Sequence, residues 1–174
     1  MPLPQAMGTS LASTSEVLRG YGFTPSSKWL GRSIGAPTID ERQALGLSAG
    51  ERVARLERLH LADDVVVAHE LSVLPERLLP HPTDIEASLH EHLANCGAAP
   101  VRAQERIRAH NVDKVQARLM QLAVGQAVLF ITRTATLECG TAAEFTRYLC
   151  LSDYLGLVVE SRRDAQATLG PSDG

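Results

Sequence analysis

Apolar and polar residues alternate with a period of two along much of the chain, and this predicts strands more often than helices. Lys28 to Ile34 reads as a first strand. Glu51 to Ala62 and Val65 to Leu74 read as two more, joined by Asp63-Asp64 as a tight turn, which makes an antiparallel hairpin. Val101 to His110 is a further strand. Ala127 to Leu137 is another, rich in the β-formers Val128, Leu129, Phe130, Ile131 and Thr132. Ala142 to Leu151 and Leu157 to Arg163 complete the set.

Three stretches switch to helical spacing. Asp40 is expected to cap a short helix through Leu45, ended by Gly46. Ser88 and Glu91 have the capping-box spacing, ahead of a helix with Leu89, Leu93 and Cys96 on one face and Gly97 as its stop. Asn111 is expected to cap a third helix with Val112, Val115, Leu119 and Leu122 on its apolar side, in a unit closed by Gly125. Pro75, Pro80 and Pro82 predict an extended, irregular connection. Residues 1–26, rich in Pro, Gly, Ser and Thr, read as an irregular tail or linker, and residues 164–174 as a flexible tail. One domain remains, residues 27–163. Its strands pair mostly with sequence neighbours, which implies an α+β fold: an antiparallel sheet with flanking helices.

Composition narrows the function. Of 174 residues, 44% are apolar and 21% charged, with a net charge of −3. Those values suit a globular domain that builds its core without disulfides or metal. A nucleic-acid surface needs clustered basic residues, and Arg102, Arg106 and Arg108 have Glu105 among them. Cys96, Cys139 and Cys150 are odd in number and irregularly spaced, as expected of reduced thiols in a cytoplasmic protein. Met1 to Ser15 lacks the pattern of a signal peptide. No apolar run approaches the roughly 18 residues that span a membrane, so no membrane partner is expected. His90 and His92, two apart on a helix, point to different sides. The chain has no His-Glu-x-x-His, Cys-x-x-Cys, phosphate-loop or Gly-x-Ser-x-Gly pattern, so neither cofactor nor metal is expected.

Strand alternation also sorts the polar residues. Ala54, Leu56, Arg58, His60 and Ala62 share one face of their strand. Val66, Ala68, Glu70 and Ser72 share one face of the next, and Glu144, Thr146, Tyr148 and Cys150 share one face of a later strand. Convergence of these faces would line a pocket suited to a small hydroxylated or anionic ligand. The helix start at Ser88 would add free N–H groups. Two plainer readings stand beside this. Arg58 with Glu70 is also a cross-strand ion pair, and Ser88 is also an ordinary helix cap. Cys150 reads as a buried, inert thiol.

Several longer runs share their order with one family. Ala44 to Gly50, then Glu51 to Pro75, then Ser88-Leu89-His90 resemble the effector-binding (UTRA) domain of HutC-type GntR transcription regulators. So do Glu144 to Arg147, Asp153 and Leu157 to Arg163, and at the front Ser13 to Glu16 with Gly22 and Pro25. The resemblance covers roughly residues 13–163.

It implies a chorismate-lyase-like fold and the sensing of a small polar or anionic metabolite. It further implies a homodimer, no enzymatic activity, and DNA contact only through a winged helix–turn–helix that this chain does not carry. By position, Arg58 would hold an anionic group, Glu70 and Glu144 would accept hydrogen bonds, and Ser88 would help receive phosphate or carboxylate. Ser15 would add a polar contact from the N-terminal loop. His60 stands where phosphosugar-binding relatives carry a second Arg, His90 where they carry Tyr, and Cys150-Leu151 where they carry Tyr-Arg. Two alternatives accompany the sensor reading: a stand-alone dimerisation module acting on full-length regulators, and a lyase on the same fold.

Overall fold

The computed structural model describes residues 14–85 and 88–155. A six-stranded antiparallel sheet in the order β1-β2-β3-β6-β5-β4 forms its centre. The strands are β1 (Pro25–Gly35), β2 (Val53–Ala62), β3 (Val65–Pro75), β4 (Arg102–Asn111), β5 (Ala127–Thr136) and β6 (Ala142–Cys150). Among the described strands, only the β3–β6 pairing joins strands that are not neighbours in sequence. The expected final strand, Leu157 to Arg163, lies outside the described residues, as do residues 1–13 and the C-terminal tail.

Helices cover both faces. Leu18 of α1 (Thr14–Gly20) packs with Ala62, Ala68, Tyr148 and Cys150. Leu89 and Leu93 of α3 (Leu89–Asn95) pack on the same side with Ala54, Leu56 and Leu74. On the opposite face, Leu45 of α2 (Ile39–Leu45) meets Val53, Val73 and Phe145. Ala117 and Met120 of α4 (Lys114–Met120) meet Leu59, Val66 and Leu149 there. Even-numbered positions of β2 thus face α1 and α3, and odd-numbered positions face α2 and α4, as period-two alternation requires.

Several local expectations change. Residues 14–20, expected to be irregular, form α1 because Val17 and Leu18 have an apolar sheet surface to cover. Thr38, not Asp40, caps α2: its hydroxyl accepts from Glu41 N–H, and Glu41 returns a bond to the Thr38 N–H. Asn111 ends β4, and Asp113 caps α4 in a box with Gln116. That shift turns Val115 to solvent and brings Ala117 and Met120 to the core instead. Cys96 is exposed beyond the end of α3. Two 3₁₀ turns, Glu76–Leu78 and Pro82–Asp84, interrupt the proline-rich connection. Val66 sits on the α4 face, not with Glu70. Pairing moves from His60↔Ala68 to Leu61↔Val66, so Val67 is an extra residue that reverses the alternation.

The β2–β3 turn forms as predicted. Asp63 and Asp64 have φ of 46° and 68°, the left-handed pair that matches strand twist. Asp63 Oδ1 also accepts from the Thr24 N–H at 2.8 Å, tying the turn to the start of β1. The sheet's α2 side is fastened by a buried charge. Glu41 accepts from Arg55 Nε and Nη2 at 3.2 and 2.6 Å and from the Thr38 N–H at 2.9 Å, with Arg147 Nη1 at 3.6 Å. Burial pushes the Glu41 carboxyl up, but Arg55, the Thr38 bond and Arg147 outweigh it and hold the group below its usual 4.5.

Asp64→Gly relieves a left-handed strain worth about 1 kcal/mol and should raise the urea midpoint without changing its slope. Glu41→Gln should cost about 3 kcal/mol at neutral pH, because Arg55 loses its buried counter-charge. A depressed carboxyl stabilises the fold above its unfolded pKa, and that contribution is lost as pH falls through the folded one. The gap between Glu41→Gln and wild type should therefore close below about pH 4.5, in urea melts taken across pH.

Candidate functional site

Under α1 and α3 the sheet carries polar side chains where an unbroken apolar layer would be expected. Pairing register places them in rows. Trp29, Arg58, Glu70 and Tyr148 are cross-strand neighbours in one row. Ser72, Thr146, Arg133 and Glu105 form the next.

Glu70 is the hub of the first row. Its Oε1 accepts from Arg58 Nη2 and Ser72 Oγ, both at 3.0 Å, and its Oε2 pairs with His60 Nε2 at 2.5 Å. The Arg58 guanidinium also lies 5.2 Å from the centre of the Trp29 ring, so its orientation is fixed from two sides. Ser72 Oγ lies 2.8 Å from Glu144 Oε1 as well. A hydroxyl has one proton, so Ser72 shares it between two carboxylates. Thr146 Oγ1 donates to the same Glu144 oxygen at 3.0 Å. Glu144 Oε2 instead faces His90 Nε2 across 3.8 Å, too far for a hydrogen bond.

These contacts set the charge states. Burial pushes Glu70 up, yet bonding and charge from His60 and Arg58 prevail and hold its carboxyl well below the usual range. Glu144 is also lowered, with burial opposed chiefly by His90. His90 is raised above 6.5 mainly by Glu144, against the opposing effect of burial. Tyr148 is pushed well above 10 by burial and by Glu70, although its hydroxyl meets Thr14 Oγ1 at 2.7 Å. Burial pushes the Cys150 thiol up to about 12.

Two connected hollows open over this surface. The inner one is small, partly open to solvent, and reaches Glu70, Glu105, Arg133, Glu144, Thr146 and Tyr148. The outer one is larger, also partly open, and reaches Ser15, Arg19, His60 and Ser88. Thr14, Arg58, Leu89 and His90 line both. All seven residues singled out in the sequence – Ser15, Arg58, His60, Glu70, Ser88, His90 and Glu144 – therefore border one cleft.

Their availability differs. Both Glu70 oxygens are engaged within the protein. Ser88 Oγ accepts from Glu91 N–H at 3.1 Å, and α3 has only seven residues, so the expected helix-start contribution is small. Sequence reading missed Arg133, Glu105, Thr14, Arg19 and Trp29. The signal for the first two was the same alternation used elsewhere, since Glu105 shares a face with Ile107, and Arg133 with Ile131. Among the described residues no group of three or more His, Cys, Asp or Glu side chains is arranged to hold a metal.

Glu70→Gln tests the hub. A depressed carboxyl contributes stability above its unfolded pKa and loses it as pH falls. Wild type should exceed Glu70→Gln in thermal stability at pH 7, and by calorimetry across pH the difference should begin to narrow below about pH 4.5 yet persist at pH 3, because the folded-state carboxyl stays ionised well below the usual range.

The model of the UTRA domain matches residues 20–155. The HTH-type transcriptional repressor NagR of Bacillus subtilis is 25% identical over 146 residues, covering 82% of this chain and 60% of the repressor. The HTH-type transcriptional regulator GgaR of Escherichia coli is 27% identical over 148 residues, covering 85% of this chain and 59% of the regulator. The chain thus spans about 60% of the length of the curated relatives it matches. Among solved structures, the effector domain of PhnF from Mycobacterium smegmatis superposes with a TM-score of 0.78 at 23% identity, over 86% of this chain and 93% of that one. That likeness supports the α+β effector-domain fold expected from the sequence.

Proposed function

The chain belongs to the UTRA-domain family, and from that premise we propose that it is the effector-binding unit of a GntR-type transcription regulator of the HutC kind. In this reading a small polar or anionic metabolite enters the cleft between α1 and α3, and its binding energy biases an associated DNA-reading domain. The observation that carries the reading is the buried polar floor itself. Burying His60, Glu70 and Glu144 in a sheet, with Arg58 mostly covered beside them, costs stability that an apolar layer would not, and a fold retains such groups where they serve binding.

Roles follow from what each group already does. Arg58, held by Glu70 and Trp29, presents a fixed guanidinium to an anionic group. Glu70 orients Arg58 and His60 more than it meets the ligand. Glu144 accepts a ligand hydrogen bond through Oε2, and His90 adds positive charge beside it. Ser15, His60 and Ser88 bound the outer hollow where an anion would enter. We read the cleft as a binder and not as an enzyme. The buried thiol of Cys150 lies in the apolar cluster with Leu18 and is held protonated, which suits packing and not nucleophilic attack.

A winged helix–turn–helix would make the operator contacts, either attached or on a partner chain; the described residues contain none. A homodimer acting in the cytoplasm is the matching assembly. No helix among the described residues is long and apolar enough to cross a membrane.

Thermal-shift titration tests the reading. Sugar phosphates, amino acids and phosphonates serve as probes, and a bound one raises the melting temperature with its occupancy. Arg58→Gln should weaken a bound anion by roughly tenfold to a hundredfold, the scale of a charge-assisted hydrogen bond. Absence of any shift across all three classes in the folded wild type would count against effector binding.

A further inference from the structure

The inner hollow has its own charged floor, made by strands that no motif singled out. Arg133 of β5 and Glu105 of β4 are cross-strand neighbours facing the hollow. Their closest approach, Arg133 Nε to Glu105 Oε1, is 3.7 Å. Two other largely buried arginine–glutamate pairs close to bonding distance: Arg55 with Glu41 at 2.6 Å and Arg58 with Glu70 at 3.0 Å. The Arg133–Glu105 pair stays open although its side chains are only 17% and 21% exposed. Arg133 Nε is buried and has no hydrogen-bond partner. Glu144 Oε2 borders the same space with its nearest cation 3.8 Å away. Burial holds the Glu105 carboxyl above its usual range, against the opposing charge of Arg133.

We propose that Arg133 and Glu105, together with Glu144 Oε2, form a specificity filter that admits an uncharged hydroxyl-bearing end of the ligand and rejects a charged one. The inference rests on the cleft being an effector site. Its chemistry is complementarity of donors and acceptors. Arg133 Nε–H needs an acceptor, while Glu105 and Glu144 Oε2 need donors. A hydroxyl accepts from Arg133 Nε–H and donates to one carboxylate, and a second hydroxyl on the adjacent carbon donates to the other. An ammonium end only donates and would sit against the Arg133 guanidinium. A carboxylate end only accepts and would sit against two carboxyl groups. Leaving a buried polar group unpaired is the costly outcome, and this is how a hydrogen-bonding pocket rejects a wrong end.

Three probes of similar length share a phosphate and differ at the other end: glycerol 3-phosphate, phosphoethanolamine and phosphoglycolate, with hydroxyl, ammonium and carboxylate ends. Calorimetric titration of the whole chain should rank glycerol 3-phosphate first by about tenfold, the scale of one hydrogen bond to a charged group. Arg133→Met should move the preference toward phosphoethanolamine, because two carboxyl groups then lack their cation. Glu105→Gln should move it toward phosphoglycolate. Opposite movements in the two variants are a signature that a merely structural cross-strand pair would not give. Should Arg133→Met fail to fold, Arg133→Gln serves in its place. An unchanged ranking in both variants overturns the filter while leaving effector binding intact. Failure of all three probes to bind a folded wild type overturns the filter together with the anion-binding reading on which it rests.

Discussion

A carboxylate taken out of water must be met by cations and donors on nearly every lone pair, or it will not stay ionised. Glu70 imposes that constraint on one half of this molecule. Its position in the middle of β3 obliges β2 to bring Arg58 and His60 to the same face, and Ser72 to turn its hydroxyl inward. Trp29 then becomes the wall over which the Arg58 guanidinium lies. The cleft is the space left above this arrangement, roofed by α1 and α3.

The opposite face solves a similar problem with a different result. Glu41 is nearly fully buried and bonded by Arg55 and by the Thr38 N–H, with Arg147 beside it. Nothing there is left open, so that cluster fastens α2 to the sheet and has no groups to offer a ligand. The contrast locates the chemistry. Groups already closed on one another, such as Glu41 with Arg55, hold shape. Groups left short of a partner, Arg133 Nε, His60 Nδ1 and Glu144 Oε2, belong to residues that line the cleft.

The cleft also reaches the start of the described chain. Thr14, the first residue of α1, bonds to the Tyr148 hydroxyl, and Tyr148 lies in the same floor as Glu70 and within ring contact of His60. Leu18 anchors the same helix in the apolar cluster beside it. A ligand that alters this floor acts on α1 directly, with no intervening element. Two-state coupling through such a contact requires only that α1 have different contacts in the filled and empty states.

Local rules carried the sequence reading a long way. Alternation gave the strands, the two-aspartate turn gave the β2–β3 hairpin, and face counting put Arg58, His60, Glu70, Ser72, Glu144, Thr146 and Tyr148 on surfaces that do converge. These succeed because they depend on neighbours one or two residues away. What failed depended on more distant partners. The Val67 bulge reversed Val66, and the caps moved to Thr38 and Asp113 to suit helix packing. An apolar sheet surface made α1 a helix where composition alone implied a tail. Arg133 and Glu105 enter the same hollow as Glu144 only because β5 pairs with both β4 and β6. Sequence thus determined which residues share a face of each strand. Only the tertiary structure decided which faces meet, and which polar atoms emerge from that meeting without a partner, because satisfaction of a buried group is set by every strand and helix around it.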